Sequence, residues 1–262
     1  LGIIIYMFIV MFGGMVMSSV IEEKASRVVE VLVSSVKATE LMFGKIIGIA
    51  FVALTQFLLW ILLTGAILGI VGAIAGTSFL GGADSHEIMD MASMGMDQST
   101  AVLAQAVNEP GALDVIMGTL KNINFVELGV CFVLFFVFGY MLYASLFAAI
   151  GSAVENEADT QQLQIPITIP IMLGFFVALY AFKAPDSTIV FWASMIPFTS
   201  PIVMLARLPF GVPGWEIVLS IVLLILTFVL FAWLSAKIYK VGILMFGKKT
   251  SWKDLWRWLK MK

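Results

Sequence analysis

The stretch that decides the fold is residues 46–72, which read IIGIAFVALTQFLLWILLTGAILGIVG and carry no ionisable side chain. The run without a charge continues as far as Ala83. A helix of about 20 predominantly apolar residues is long enough to cross the hydrocarbon core of a bilayer. The stretch therefore predicts one transmembrane helix.

The composition of the chain extends this interpretation to the rest of its 262 residues. Hydrophobic residues make up 61% of the chain and charged residues 12%, whereas a soluble domain is roughly 25% charged. This balance excludes a soluble globule. The net charge of −2 gives no reason to expect a nucleic-acid partner, and a single Cys and a single His argue against a metalloenzyme or a Cys/His hydrolase.

Five apolar stretches are long enough to cross a membrane. They are residues 1–21, 46–72, 128–154, 161–182 and 215–236. We therefore predict an all-α, polytopic membrane protein with five crossing helices. Because the chain opens with Leu1 inside an apolar run, we expect it to be part of a longer protein that has more sequence before this residue.

A sixth apolar stretch, residues 187–210, contains Pro197 and Pro201. If it does not cross, twelve of the fifteen Lys and Arg residues lie on one side of the membrane, as positively charged cytoplasmic segments do. The three on the other side are Lys121, Lys183 and Arg207. We therefore predict a Pro-rich re-entrant hairpin with Pro197, Pro201 and Arg207 as gating residues, and a cytoplasmic C-terminus.

Two further segments lie between or after the spans. The external loop at residues 77–127 contains five side chains that form a weak candidate Cu(I) site, since thioethers are soft ligands. They are His86, Met89, Met91, Met94 and Met96. Ordinary apolar packing is the alternative for these methionines, because the chain has 16 of them. The tail at residues 250–262 is predicted to be an amphipathic helix at the cytoplasmic interface.

The cytoplasmic segment at residues 22–45 carries the pattern of a short amphipathic helix. One predicted face contains Ile21, Ala25, Val28, Val29 and Leu32. The other faces carry Glu22, Glu23, Arg27 and Glu30. On a continuous helix, Glu23 and Arg27 are spaced to form an ion pair. The pattern fits a helix that docks onto another protein, and a merely solvated inner loop explains it equally well.

The interiors of the second, third and fourth spans contain no Asp, Glu, His, Lys or Arg residue. Ion-coupled carriers usually keep such residues in the membrane interior. Membrane enzymes need a nucleophile with a base, paired acids or a metal cluster, and the spans provide none of these. We therefore expect no catalytic residue and no bound cofactor in this chain, and we expect the energy for any uphill transport to come from another subunit.

Four groups of residues together resemble one protein family. They are Glu22–Val36 with Gly44-Lys45, Gly151–Glu155 with Gln161–Pro166, Pro197–Arg207, and Lys237–Lys248. The set resembles the permeases of type-2 ATP-binding-cassette exporters, and within that family it is most similar to sodium-efflux (NatB-like) permeases. The resemblance covers nearly all of the chain except the external loop.

The resemblance implies an exporter permease in the inner or plasma membrane that moves Na⁺ or a small toxic, amphipathic compound outward. It implies two partners, a second permease protomer (identical or different) and an ATPase subunit that binds ATP and Mg²⁺. It also implies that a first span and an extracellular domain precede Leu1. A non-transporting scaffold is the main alternative, and an ion-gradient-driven carrier is a weaker one.

The resemblance also assigns regions to the cytoplasmic side. The residues expected to couple to the ATPase are Glu22, Glu23, Arg27, Val28, Glu30 and Leu32. The second cytoplasmic loop then contains Glu155, Glu157 and Asp159.

Overall fold

The computed structural model describes residues 2–75, 125–245, 254–255 and 257–258. Every regular element in these ranges is helical, and five helices are long and apolar enough to cross a membrane. The predicted all-α membrane fold with five crossing helices is thus confirmed. The candidate Cu(I) ligands, nearly all of the external loop and most of the tail lie outside the described residues.

Each predicted span corresponds to one long helix. The long helices are α1 (Gly2–Ala25), α3 (Ala38–Ala75), α4 (Phe125–Ala153), α5 (Thr160–Ala181) and α8 (Gly214–Gly242). The shorter helices are α2 (Val28–Ser35), α6 (Thr188–Met195) and α7 (Ser200–Arg207). Single turns of 3₁₀ helix occupy Glu157–Asp159 and Leu208–Phe210. The long helices form because each contains an apolar stretch of several turns that no charged residue interrupts.

The chain forms two compact units, residues 1–53 with 126–262, and residues 54–125. In the second unit, the described part of α3 exposes large apolar side chains; Trp60 is 61% exposed and Leu62 is 73% exposed. Lipid tails are as apolar as these side chains, so such a surface suits a bilayer.

The core of the first unit contains large aromatic side chains from α1 and α4. The fully buried ones are Phe12, Phe135, Tyr140, Tyr143 and Phe147. Glycine allows the two helices to approach closely: a Cβ atom at Gly151 would lie 2.8 Å from the Met17 carbonyl oxygen. This unit carries the features that bear on function.

The first unit has two ends. We call the end where α1, α4 and α8 finish, with Lys24, Lys45 and Lys237, the basic end. We call the end that holds the loop before α6 and the last turn of α7, with Lys183 and Arg207, the hairpin end.

Candidate functional site

The connection between α1 and α3 is the first candidate site, because the sequence predicts a docking helix there. Helix α1 ends at Ala25, and Arg27 has a φ of 57°, in the left-handed region that non-glycine residues seldom occupy. A left-handed residue cannot continue a right-handed helix, so the chain turns here and α2 starts at Val28. The prediction of one amphipathic helix over residues 22–36 is therefore wrong.

The break at Arg27 changes how the charged residues pair. Glu23, which was predicted to pair with Arg27, instead forms an ion pair with Lys45 of α3, with 2.6 Å between the charged atoms. The Lys45 ammonium also donates a hydrogen bond to the Ser19 carbonyl at 2.9 Å. Glu22 and Arg27 are exposed. These contacts bind the first turns of α3 to the last turns of α1.

Of the four valines of helix α2, one is buried, one is half-buried and two are exposed. Val29 is fully buried, whereas Val28 is 47% exposed and Val31 is 70% exposed. The sequence pattern had placed Val28 and Val29 on the same face, because it assumed the register of a longer helix. The side chains of Glu30 and Leu32 lie outside the described part. An exposed apolar pair on a short helix is the kind of surface that docks into a groove on a partner.

Lys24 is a functional candidate that the sequence analysis missed. It is 1% exposed, and its ammonium donates hydrogen bonds to the carbonyl oxygens of Ser152 at 2.6 Å and Gly242 at 2.8 Å. Both oxygens belong to the last turns of helices, where carbonyls have no partner within the helix, and the Gly242 carbonyl also accepts from the Met245 amide at 3.1 Å. No sequence pattern could reveal this, because the partners are backbone atoms 128 and 218 residues away.

The loop between α4 and α5 lies at the same end. Helix α4 ends at Ala153, and the 3₁₀ turn Glu157–Asp159 leads directly into α5. The Glu155 carboxylate attracts the Lys24 ammonium electrostatically. Glu155 and Asp159 are half-buried, and the side chain of Glu157 lies outside the described part. Of the predicted loop residues, Glu155 thus lies close enough to Lys24 to interact with it.

The Pro-rich segment forms two short helices, α6 and α7, joined by a turn at residues 196–199. The Thr199 hydroxyl donates to the Ala193 carbonyl, and the Ser200 amide donates to the Ile196 carbonyl at 2.8 Å. Pro201 lies in the first turn of α7, where a missing amide hydrogen causes no loss. All eight residues of α7 are buried.

The turn between α6 and α7 lies deep within the bundle. The Tyr143 hydroxyl donates to the Phe198 carbonyl, and the Phe198 ring centroid is 5.2 Å from that of Phe231. Tyr143 lies ten residues before the end of α4, so the turn is about 15 Å from the basic end along that helix. An eight-residue helix such as α7 is about 12 Å long, which is too short to cross a core of about 30 Å.

A buried ion pair lies at the hairpin end. Arg207 and Glu216 are 5% and 6% exposed, and the guanidinium donates to the Glu216 carboxylate. The Arg207 Nε also donates to the Pro185 carbonyl at 3.1 Å, and Nη1 lies 3.4 Å from the Ser194 hydroxyl. The guanidinium carbon is 5.6 Å from the centre of the Phe191 ring. Arg207 thus links the end of α7 to the first turn of α8 and to α6.

Among residues 2–75 and 125–245, no group of three or more His, Cys, Asp or Glu side chains is placed to hold a metal ion.

Comparison with known proteins identifies the family. Residues 1–237 match the family model described as ABC-2 family transporter protein. The chain belongs to this ABC-2 family. The match includes α1 to α7 and most of α8, so Lys24, α2 and the Arg207–Glu216 pair all lie within the family region. The ABC-2 family provides the membrane component of transporters, and the five apolar helices make this chain a multi-pass membrane protein.

Two relatives of this ABC-2 chain cover nearly all of it. The uncharacterized protein YhaP of Bacillus subtilis is 30% identical over 253 residues, which are 96% of this chain and 52% of YhaP. The uncharacterized protein MJ1024 of Methanocaldococcus jannaschii is 27% identical over 251 residues, which are 95% of this chain and 50% of MJ1024. The chain thus spans about half the length of the curated relatives it matches. No solved structure matches the chain significantly.

Proposed function

We propose that this chain is the permease part of an ATP-driven exporter, which moves Na⁺ or a small toxic, amphipathic compound out of the cell. Membership of the ABC-2 family supports the transport role. The proposal rests on the exposure of the Val28 and Val31 side chains of α2, a short helix at the basic end. These side chains are available to a partner that supplies energy.

The partner is an ATPase subunit that binds ATP and Mg²⁺ itself. Exposed valines on α2 enter an apolar groove of this subunit, and the exposed charges of Glu22 and Arg27 set the orientation of docking. Glu23, Glu30 and Leu32 belong to the same coupling segment. A Leu32→Asp substitution should impair coupling more than Glu30→Ala, because a buried unpaired carboxylate is costly.

The membrane arrangement follows from the charge distribution. The basic end lies in the cytoplasm, together with the C-terminus, and the hairpin end faces outward across the cell membrane. Two permease protomers, identical or different, enclose the substrate path between them. Helices α6 and α7 form a re-entrant hairpin in which Pro197 and Pro201 shape the turn, and Arg207 holds the hairpin to α8 in a closed outer gate.

An export assay tests this function. Cells that lack the permease and its ATPase receive both genes, or the permease alone, and are loaded with Na⁺ and with a panel of amphipathic cations. We expect export of at least one compound that requires both genes and persists after ionophores collapse the ion gradients. Export by the permease alone, driven by a gradient, would indicate a secondary carrier. If both genes give no export of Na⁺ or of any compound in the panel, the scaffold is favoured instead.

A further inference from the structure

We infer that Lys24 and Lys45 are positioning residues that transmit movement of α2 to four membrane helices at once. The inference rests on the proposed function, since it names the route by which a docked ATPase moves the permease. It is carried by the contacts of two lysines that lie on either side of the α2 segment, one near the end of α1 and one near the start of α3.

The first lysine joins three helices at a single ammonium group. Lys24 lies one residue before the end of α1, and it donates to the Ser152 carbonyl of α4 and the Gly242 carbonyl of α8. Hydrogen bonds from an ionised donor are about twice as strong as neutral ones. At 1% exposure, water cannot replace either bond if the ammonium moves away. The ammonium therefore holds the ends of α4 and α8 to α1.

The packing around this ammonium leaves little slack. A Cβ atom at Gly242 would lie 2.8 Å from the Ser152 hydroxyl oxygen and 2.9 Å from the Ser152 carbonyl oxygen. Such distances are too short for any side chain, so α4 and α8 are in backbone contact beside the Lys24 ammonium. A shift of α1 at Lys24 must therefore move α4 and α8 with it.

The second lysine joins α3 to α1. The Lys45 ammonium pairs with the Glu23 carboxylate at 2.6 Å and lies 2.9 Å and 3.2 Å from the carbonyl and hydroxyl oxygens of Ser19. The next residue of α3, Ile46, accepts a hydrogen bond from the Tyr140 hydroxyl of α4 at 3.0 Å. The start of α3 is thus bound to both α1 and α4.

Helix α2 is connected to these two anchors by very short segments. Only Ser26 and Arg27 separate α2 from α1, and only Val36 and Lys37 separate it from α3. A displacement of α2 is therefore passed to α1, α3, α4 and α8 rather than taken up by a flexible loop. Lys37 differs from the two anchors, because its side chain is 82% exposed and it pairs with Glu40 of α3 at 3.9 Å. It provides the matched control.

A distance measurement tests the inference without any ATPase. Spin labels are placed on the full-length protein in nanodiscs through Val31→Cys and Lys240→Cys, both exposed positions, in a Cys131→Ala background. We expect Lys24→Met, which keeps the side-chain length and removes the charge, to at least double the width of the distance distribution between the labels. Lys37→Met should leave that width unchanged. An unchanged width in Lys24→Met would overturn the inference.

Two further results keep the test decisive. If Lys24→Met elutes as an aggregate in gel filtration, Lys45→Met is measured in its place. We then expect Lys45→Met to double the width of the distance distribution, and an unchanged width would overturn the inference. The Lys24→Met protein should still co-purify with the ATPase. In that complex, the stimulation of ATP hydrolysis by transport should be at least fivefold lower than in the wild-type complex. Full stimulation in that complex would also overturn the inference. Failure of the wild-type permease to retain any ATPase would instead contradict the proposed function.

Discussion

At the scale of single residues, the chain keeps a few charged groups almost completely buried and gives each of them specific partners. Arg207 and Glu216 pair with each other, and Lys24 binds two backbone carbonyls. A buried charge without a partner is far too costly to persist, so these contacts hold their helices in one arrangement. The Arg207–Glu216 pair fixes α7 against α8 in this way.

The first prediction concerns Glu216→Ala. The substitution leaves the Arg207 guanidinium with one carbonyl and one hydroxyl in apolar surroundings. Removing one partner of a buried ion pair costs about 3–5 kcal/mol, so the unfolding temperature of the purified protein should fall clearly. Thermal unfolding in detergent, followed by tryptophan fluorescence, measures this change.

Two variants serve as controls for Glu216→Ala. Lys183→Ala removes an exposed charge at the same end and should leave the unfolding temperature unchanged. The double substitution Arg207→Met with Glu216→Leu removes both charges and should recover most of the loss, because no charge is then left unpaired. A wild-type unfolding temperature for Glu216→Ala would show that the pair does not hold the two helices together.

The sequence contained a usable signal for the Arg207–Glu216 pair but none for the Lys24 contacts. Arg207 and Glu216 are nine residues apart, on either side of a turn with Pro209 and Pro213, in a region with few other charges. Two opposite charges so placed could have been paired from the sequence. The partners of Lys24 could not be identified from the sequence, because they are carbonyl oxygens that become available only where helices end.

At the scale of helices, α7 fits against its neighbours because α4 presents a glycine to it. A Cβ atom at Gly139 would lie 2.8 Å from the Cβ and Cγ atoms of Pro201. Real side chains do not approach so closely, and the Pro201 ring is too rigid to yield. The absence of a methyl group at Gly139 therefore helps to fix the position of the hairpin against α4.

The second prediction compares two alanine substitutions in α4. Gly139→Ala should destabilise the protein by about 1–3 kcal/mol, because the added methyl overpacks the contact with Pro201. Gly129→Ala should be neutral or slightly stabilising, because nothing lies within 4 Å of its Cβ position and alanine favours helix over glycine by about 1 kcal/mol. Denaturation midpoints measure both effects. Equal midpoints for the two variants would contradict the close contact.

Prediction of the helices from sequence succeeded where the signal extends over many residues. Apolar runs of about 20 residues identify a span even when one end is misjudged by several positions. The break before α2 could not be predicted, because Arg27 is left-handed without the glycine that usually marks such a turn. The faces of α2 were assigned incorrectly for the same reason, since a change in where a helix begins rotates every later side chain.

At the scale of the whole molecule, α2 can reach an ATPase subunit only if the basic end of the bundle faces the cytoplasm. Twelve of the fifteen Lys and Arg residues lie on the same side of the membrane as the basic end if the Pro-rich hairpin does not cross the membrane. Helix α7 alone is too short to cross, and its first turn lies deep in the bundle; on these grounds we propose that the hairpin does not cross. The positions of Lys183 and Lys240 then lie on opposite sides of the membrane.

The third prediction tests this topology. Single cysteines introduced by Lys240→Cys or Lys183→Cys, in a Cys131→Ala background, are exposed in the structure. A membrane-impermeant maleimide added to intact cells should label the Lys183→Cys protein, and it should label the Lys240→Cys protein only after the membrane is permeabilised. Labelling of the Lys240→Cys protein in intact cells would reverse the orientation and remove α2 from the cytoplasm.

The central claim is that an ATPase subunit drives this permease through α2, and retention of that subunit tests it most directly. Tagged full-length permease is purified from its own cells as wild type, as Val31→Asp, and as Thr188→Asp, which adds the same charge at an exposed site at the hairpin end. We predict that an ATPase co-purifies with wild type and Thr188→Asp, and that Val31→Asp loses most of it while eluting as a folded protein, because its new charge faces an apolar groove. Equal retention by all three variants, or no ATPase with the wild type, would contradict the claim.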